Sequence, residues 1–182
     1  MNQIASRSQL RISYLRWALF TVPLVLLLGI GSGRMAGSGY GNRWFAALEK
    51  PELMPASWVF GLVWPLLYLL LGLALALILH ARGARFRWWA IGLFLVLLLM
   101  VFVWPVLFFA AHQITAALYL IGAIFGFSII TILLLARIRP TAALLMLPFL
   151  LWIAFAAYLN YEILRLNPDA ESLVAPAVRT QI

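Results

Sequence analysis

From Trp88 to Ala136 the chain carries no Lys, Arg, Asp or Glu. A single helix of that length would extend about 74 Å, more than twice the hydrocarbon core of a bilayer. The run must turn back on itself. His112-Gln113 is the polar break near its middle, so two spans, about 88–111 and 115–136, are predicted to form a tight hairpin there. Three further apolar runs of spanning length, about 14–33, 58–79 and 141–164, bring the expected fold to an all-α membrane protein, a bundle of five transmembrane helices forming one domain over 1–166. A long Gly- and Pro-containing loop is expected at 34–57 and a flexible tail at 167–182.

Composition closes the alternatives. With 66% hydrophobic and 10% charged residues and a mean hydropathy of +1.05, the chain has too little polar surface to solvate a water-soluble globule. Its apolar runs are too continuous for the alternating strands of a membrane barrel. The solvent is the lipid bilayer. A net charge of +8 would suggest nucleic acid as partner in a soluble protein, but here the basic residues sit between apolar runs, where they report topology. Arg7, Arg11, Arg16, Arg82, Arg85, Arg87, Arg137 and Arg139 fall on the N-terminal face without an acidic residue. On the other face Arg34, Arg43, Lys50, Arg165 and Arg179 are balanced by Glu49, Glu52, Glu162, Asp169 and Glu171. The positive-inside rule then puts the N-terminus in the cytoplasm and the C-terminus outside, favouring a bacterial inner membrane. The first apolar run follows three arginines as a signal peptide would, but it is long enough to span and is read as a helix.

Eight tryptophans divide by position. Trp17, Trp58, Trp88 and Trp89 begin spans and suit the interfacial belts, where the ring is apolar and the N–H stays wet. Trp64, Trp104 and Trp152 lie roughly 9 to 14 Å inside the outer helix ends. Each alone is suited equally to packing helices together. Three at one level on three helices suggest a cleft for a planar aromatic guest. Pro65 and Pro105 follow two of these indoles and Pro148 precedes the third, and each removes a helical hydrogen bond. Asn160 is suited either to bonding a neighbouring helix or to meeting a ligand, and His80 and His112 to capping helix ends.

There is no cysteine, and no paired carboxylate, metal cluster or activated nucleophile stands out, so no catalytic or metal-ligating residue and no cofactor is assigned.

The segment from Trp44 through Phe45, Glu49-Lys50-Pro51 and Pro55, followed by Trp58, Phe60, Trp64 and Tyr68, resembles the first loop and second span of the translocator protein / tryptophan-rich sensory protein (TspO/MBR) family. Trp104-Pro105 with Phe108-Phe109 is similar to the end of the family's third span. Pro148, Trp152, Phe155-Ala156 and Leu159-Asn160-Tyr161 are similar to its fifth. The resemblance implies a five-helix bundle, commonly a homodimer, with a pocket in the half nearest the first loop, which acts as its lid. It implies porphyrin (tetrapyrrole), sterol or benzodiazepine-type ligands, with Trp64, Tyr68, Trp152, Ala156 and Asn160 lining the pocket and Phe45, Pro55 and Phe60 near the lid. Trp104, Phe108 and Phe155 join the expected ligand-binding set through their motifs. Leu159, Tyr161 and Arg165 fit a proposed cholesterol pattern.

The chain departs from the family pattern at Leu53, Ala56, Val101, His112 and Ala116, where a tryptophan, a proline, an asparagine, an arginine and a tryptophan are usual. A more apolar and wider pocket is the expected result. Three functions compete: a receptor or sensor for porphyrin, light-dependent porphyrin degradation, and passive porphyrin or sterol transport. Ion-coupled transport is disfavoured because charged groups are absent from the spans between the helix ends.

Overall fold

The computed structural model describes residues 7–172; the expected tail beyond them, Arg179 included, and the side chain of Arg7 lie outside the described residues. Helix α1 spans Arg7–Met35, α2 Arg43–Ala47, α3 Ser57–His80, α4 Arg87–Pro105, α5 Ile114–Ile138 and α6 Pro140–Leu166. A π-helical turn, Val106–Ala110, extends α4, and a 3₁₀ turn, Ala170–Ser172, ends the described chain. Among the described residues, five helices are long and apolar enough to cross a membrane: Arg11–Met35, Ser57–His80, Arg87–Ala110, Ile114–Ile138 and Pro140–Leu166. The expected spans are confirmed with shifts of a few residues at their ends.

The most extensive pairings are α1 with α3 and α5 with α6. Without a hydrophobic force between helices in lipid, close approach depends on small residues and buried hydrogen bonds. Gly72 is one such point, since a Cβ there would stand 2.7 Å from the Val22 Cα. At the same crossing the buried Thr21 hydroxyl donates to the Gly72 carbonyl at 2.8 Å. Gly29 is another, where an added Cβ would meet the Tyr68 ring at 2.4 Å. Helix α1 thus lies hard against α3 along much of its length.

Toward the arginine-rich face the bundle is solid. Leu71, Ile78, Phe94, Leu97, Met146 and Phe149 are each fully buried there. Toward the other face α4 changes character. Pro105 has no N–H, so the Val101 carbonyl loses its usual donor, and the chain relaxes into a π turn in which the Ala111 N–H reaches the Val106 carbonyl at 2.9 Å. The hairpin to α5 turns at His112, as expected, with its backbone in the left-handed region at φ 57°.

The tail expected to be flexible from Asn167 begins docked. The Asn167 side chain accepts from the Glu49 N–H at 2.8 Å and donates to the Glu49 carbonyl at 2.9 Å, copying the pairing of a strand. The Trp44 indole donates to the Ala170 carbonyl at 3.0 Å, and the Glu171 carboxylate accepts from the Thr115 N–H at 2.7 Å. The first loop, the C-terminal segment and the start of α5 are therefore tied together.

Candidate functional site

Beneath the first loop lies a cavity of about 580 Å³, bounded by α1, α3, the end of α4 and α6. Trp64, Trp104 and Trp152 all line it, so the three deep indoles do meet. Their roles differ. Trp104 stacks on Phe108 with centroids 5.1 Å apart and donates its N–H to the Ala117 carbonyl at 3.0 Å, which commits it to holding α4 against α5. Trp64 leans on Tyr68 at 5.5 Å, and Trp152 meets Phe60 edge-on at 5.8 Å across α3 and α6.

Two polar atoms in this wall have no partner. The Trp152 Nε1 donor and the Asn160 Oδ1 acceptor are both buried and unsatisfied, although the Asn160 amide donates to the Ile114 carbonyl at 3.2 Å. A buried polar group left without a partner costs about 1–3 kcal/mol, so these two atoms are a local cost of the wall. Asn160 ties α6 to α5, the first of the two jobs considered for it.

The first loop forms the roof. Asn42 caps α2 by accepting from the Phe45 N–H at 3.0 Å, and its amide donates to the Phe109 carbonyl at 3.1 Å. Phe45 is thereby pressed onto Phe108 and Phe109, with centroids at 6.0 and 5.2 Å. The Lys50 ammonium closes the far end of α2 by donating to the carbonyls of Phe45, Ala46 and Leu48. Burial holds Lys50 below the ordinary lysine pKa and pushes the Tyr40 phenol up. Tyr40 crosses the loop to donate to the Pro55 carbonyl at 2.7 Å, and the exposed guanidinium of Arg34 stands at the cavity rim.

Of the residues expected to meet a ligand, Phe45, Phe60, Trp64, Tyr68, Trp104, Phe108, Trp152, Ala156 and Asn160 line the cavity. Pro55 and Phe155 do not: Pro55 anchors Tyr40, and Phe155 packs behind Trp152 at 5.6 Å. The sterol pattern is split. Leu159 lines the cavity, whereas Tyr161 is exposed and Arg165 is exposed and paired with Glu162 at 2.7 Å. Val101 lines the wall where an asparagine was expected, making it more apolar. Ala116 is not in the wall, so the missing indole there does not widen the cavity. His112 stacks on Trp44 at 4.3 Å, a planar contact that supports the roof rather than only capping a helix.

Sequence reasoning missed the α1 wall, Gly29, Ile30 and Gly33, and the loop residues Ser38 to Gly41. The alternating glycines of α1 were the available signal, since glycine in a span marks close approach.

A five-span membrane bundle with an aromatic cavity roofed by its first loop defines a class of integral membrane protein. The TspO/MBR family model matches residues 11–166, and the chain belongs to that family. It is 34% identical to the Tryptophan-rich protein TspO of Chlorobaculum tepidum over 82% of this chain and 98% of that one. It is 36% identical to the Translocator protein of Homo sapiens over 77% and 84%. The Tryptophan-rich sensory protein of Cereibacter sphaeroides is 30% identical over 86% and 98%.

Proposed function

We propose that the protein is a membrane receptor or sensor that takes a flat tetrapyrrole such as protoporphyrin into the roofed cavity. The observation that carries this reading is one cavity walled by the rings of Phe60, Trp64, Tyr68, Trp104 and Trp152. A volume of about 580 Å³ falls inside the range of roughly 300–1,000 Å³ typical of small-molecule sites. A tetrapyrrole offers a flat π face on which Trp64 and Trp152 can stack. Its carboxylate arms suit the Arg34 guanidinium at the rim. A sterol has no acidic arm and no π face, and the split of Leu159 from Tyr161 and Arg165 removes the common surface that the sterol pattern would need. Arginines gathered on the opposite face support a cytoplasmic N-terminus, with the roofed cavity opening outside.

The test is a titration of detergent-purified protein with protoporphyrin, read by the shift of the porphyrin's own absorbance. Stacking worth about 0.5–1.5 kcal/mol per ring predicts that Trp64→Ala with Trp152→Ala weakens binding about tenfold. Unchanged binding in that variant rejects the site.

A further inference from the structure

At the other end of the bundle a second cleft, of about 330 Å³, opens between the start of α1, the end of α3 and the α5–α6 turn. Its wall is Arg11, Tyr14, Leu77, His80, Arg139 and Thr141. We propose that this cleft holds the phosphate of an anionic phospholipid drawn from the surrounding bilayer.

The positive charge of this cleft is unanswered among the described residues. Arg11 and Arg139 are exposed, and among the described residues neither takes part in an ion pair. No acidic counter-charge stands on this face, because Glu49 and Glu52 lie in the first loop and Glu162, Asp169 and Glu171 lie at the end of α6 and beyond it. Arg87 on the same face is committed elsewhere: it donates to the carbonyls of Ile78 and Leu79 at 3.2 and 2.8 Å, sealing the end of α3, and lies over Trp88. The two cleft arginines have no such work. A guanidinium presents a planar fork of donors matched to phosphate oxygens, and two that converge on one cleft make a phosphate site rather than a diffuse positive surface.

The neutral groups fit the same ligand. Tyr14 and Thr141 bring hydroxyls that donate to phosphate oxygens. His80 is fixed by its Nδ1 contact with the Ser13 hydroxyl at 3.2 Å and by an edge contact with Tyr14 at 6.4 Å. The cleft is therefore held in shape from inside the protein.

The source of the phosphate follows from depth. Leu77 forms an apolar part of the wall, and Ile12 and Leu15 beside Arg11 and Tyr14 are half exposed toward lipid. A headgroup in the cleft would have its acyl chains running down this apolar surface, whereas a free phosphate would leave that surface unused. Basic pockets between membrane helices favour anionic headgroups for the same reason.

Native mass spectrometry of the purified full chain with equal phosphatidylglycerol and phosphatidylcholine tests the proposal. The wild-type chain is expected to retain phosphatidylglycerol in preference. Arg11→Gln with Arg139→Gln should weaken that preference about tenfold. Arg16→Gln with Arg85→Gln removes the same charge from the same face outside the cleft and should leave it intact. Arg11→Lys with Arg139→Lys keeps charge and fold while removing the fork, and should show a loss of several-fold; this pair decides the matter if the glutamine pair does not fold. Equal retention of the two lipids by the wild type, equal loss in both glutamine pairs, no loss in the lysine pair, or displacement of the lipid by millimolar inorganic phosphate would each overturn the proposal.

Discussion

The two halves of this bundle are built from the same five helices and obey opposite rules. Toward the arginine-rich face, side chains such as Phe94, Leu97 and Phe149 fill the centre of the bundle, and only a cleft at its rim stays open. Toward the first loop, the same α3, α4 and α6 carry Pro65, Pro105 and the indoles Trp64, Trp104 and Trp152 and stand around a cavity. The difference teaches where a helical membrane protein can keep a pocket. In lipid, helices are held by dispersion contacts and buried hydrogen bonds, so the centre of one half must be closely packed if the other is to stay open. The open half is then held from above, by a roof tied to α6 through Asn167 and Trp44.

The largest expected effect is in the packed half. Phe94 is fully buried, and Phe94→Ala leaves a hole that the rigid helices cannot close. The transfer term is small when the alternative solvent is itself apolar, so the lost contacts dominate, and a destabilisation of about 2–3 kcal/mol is expected in detergent unfolding. An equal loss from Phe60→Ala at the cavity wall would erase the distinction between the halves.

The next effect concerns the roof. Asn167→Ala removes both bonds to the Glu49 backbone. Local opening of the loop should become easier by about 1–2 kcal/mol, read as faster amide exchange at residues 44–50 with the global unfolding transition nearly unchanged. A coincident drop in global stability would mean that the loop is part of the packed core instead of a cover on it.

A smaller effect separates binding from stability within one residue. Trp152→Phe keeps an aromatic ring and deletes the orphaned donor. Stability should hold or rise slightly, because a buried unsatisfied N–H is lost, while porphyrin affinity should fall by about 1 kcal/mol, roughly fivefold. Loss of both together would show that the indole is a packing residue like Trp104.

Much of this was readable from the chain because the bilayer imposes a length rule. Charge-free runs and the break at His112-Gln113 sufficed for the five spans, and the shared depth of Trp64, Trp104 and Trp152 sufficed for an aromatic cleft. The contribution of α1 was not readable, because that helix has no apolar stripe of helical period and its inward side is decided by the close fits of Gly29 to Tyr68 and Val22 to Gly72. The docking of Asn167 and Ala170 was hidden for another reason. A polar, proline-flanked segment reads as solvated unless its partners are known, and Glu49 and Trp44 lie far away in sequence. The split of the sterol pattern was equally invisible, since a linear motif does not say that Leu159 and Tyr161 point to different sides of α6.

The smallest effect is expected at Val101, where the two halves meet on α4. Val101 is buried, lines the cavity and stands one turn from Leu97 on the same side of the helix, yet Leu97 faces only packed side chains. An asparagine at Leu97 would bury an amide with nothing to receive it. The same amide at Val101 borders open space beside the carbonyl that Pro105 has freed, so Val101→Asn should cost no more than about 0.5 kcal/mol. Unfolding measurements on this pair place the boundary between the halves to within one helical turn. A heavy cost at both positions would mean that the cavity closes when it is empty, and that its ligand has to open the bundle rather than enter a space already made.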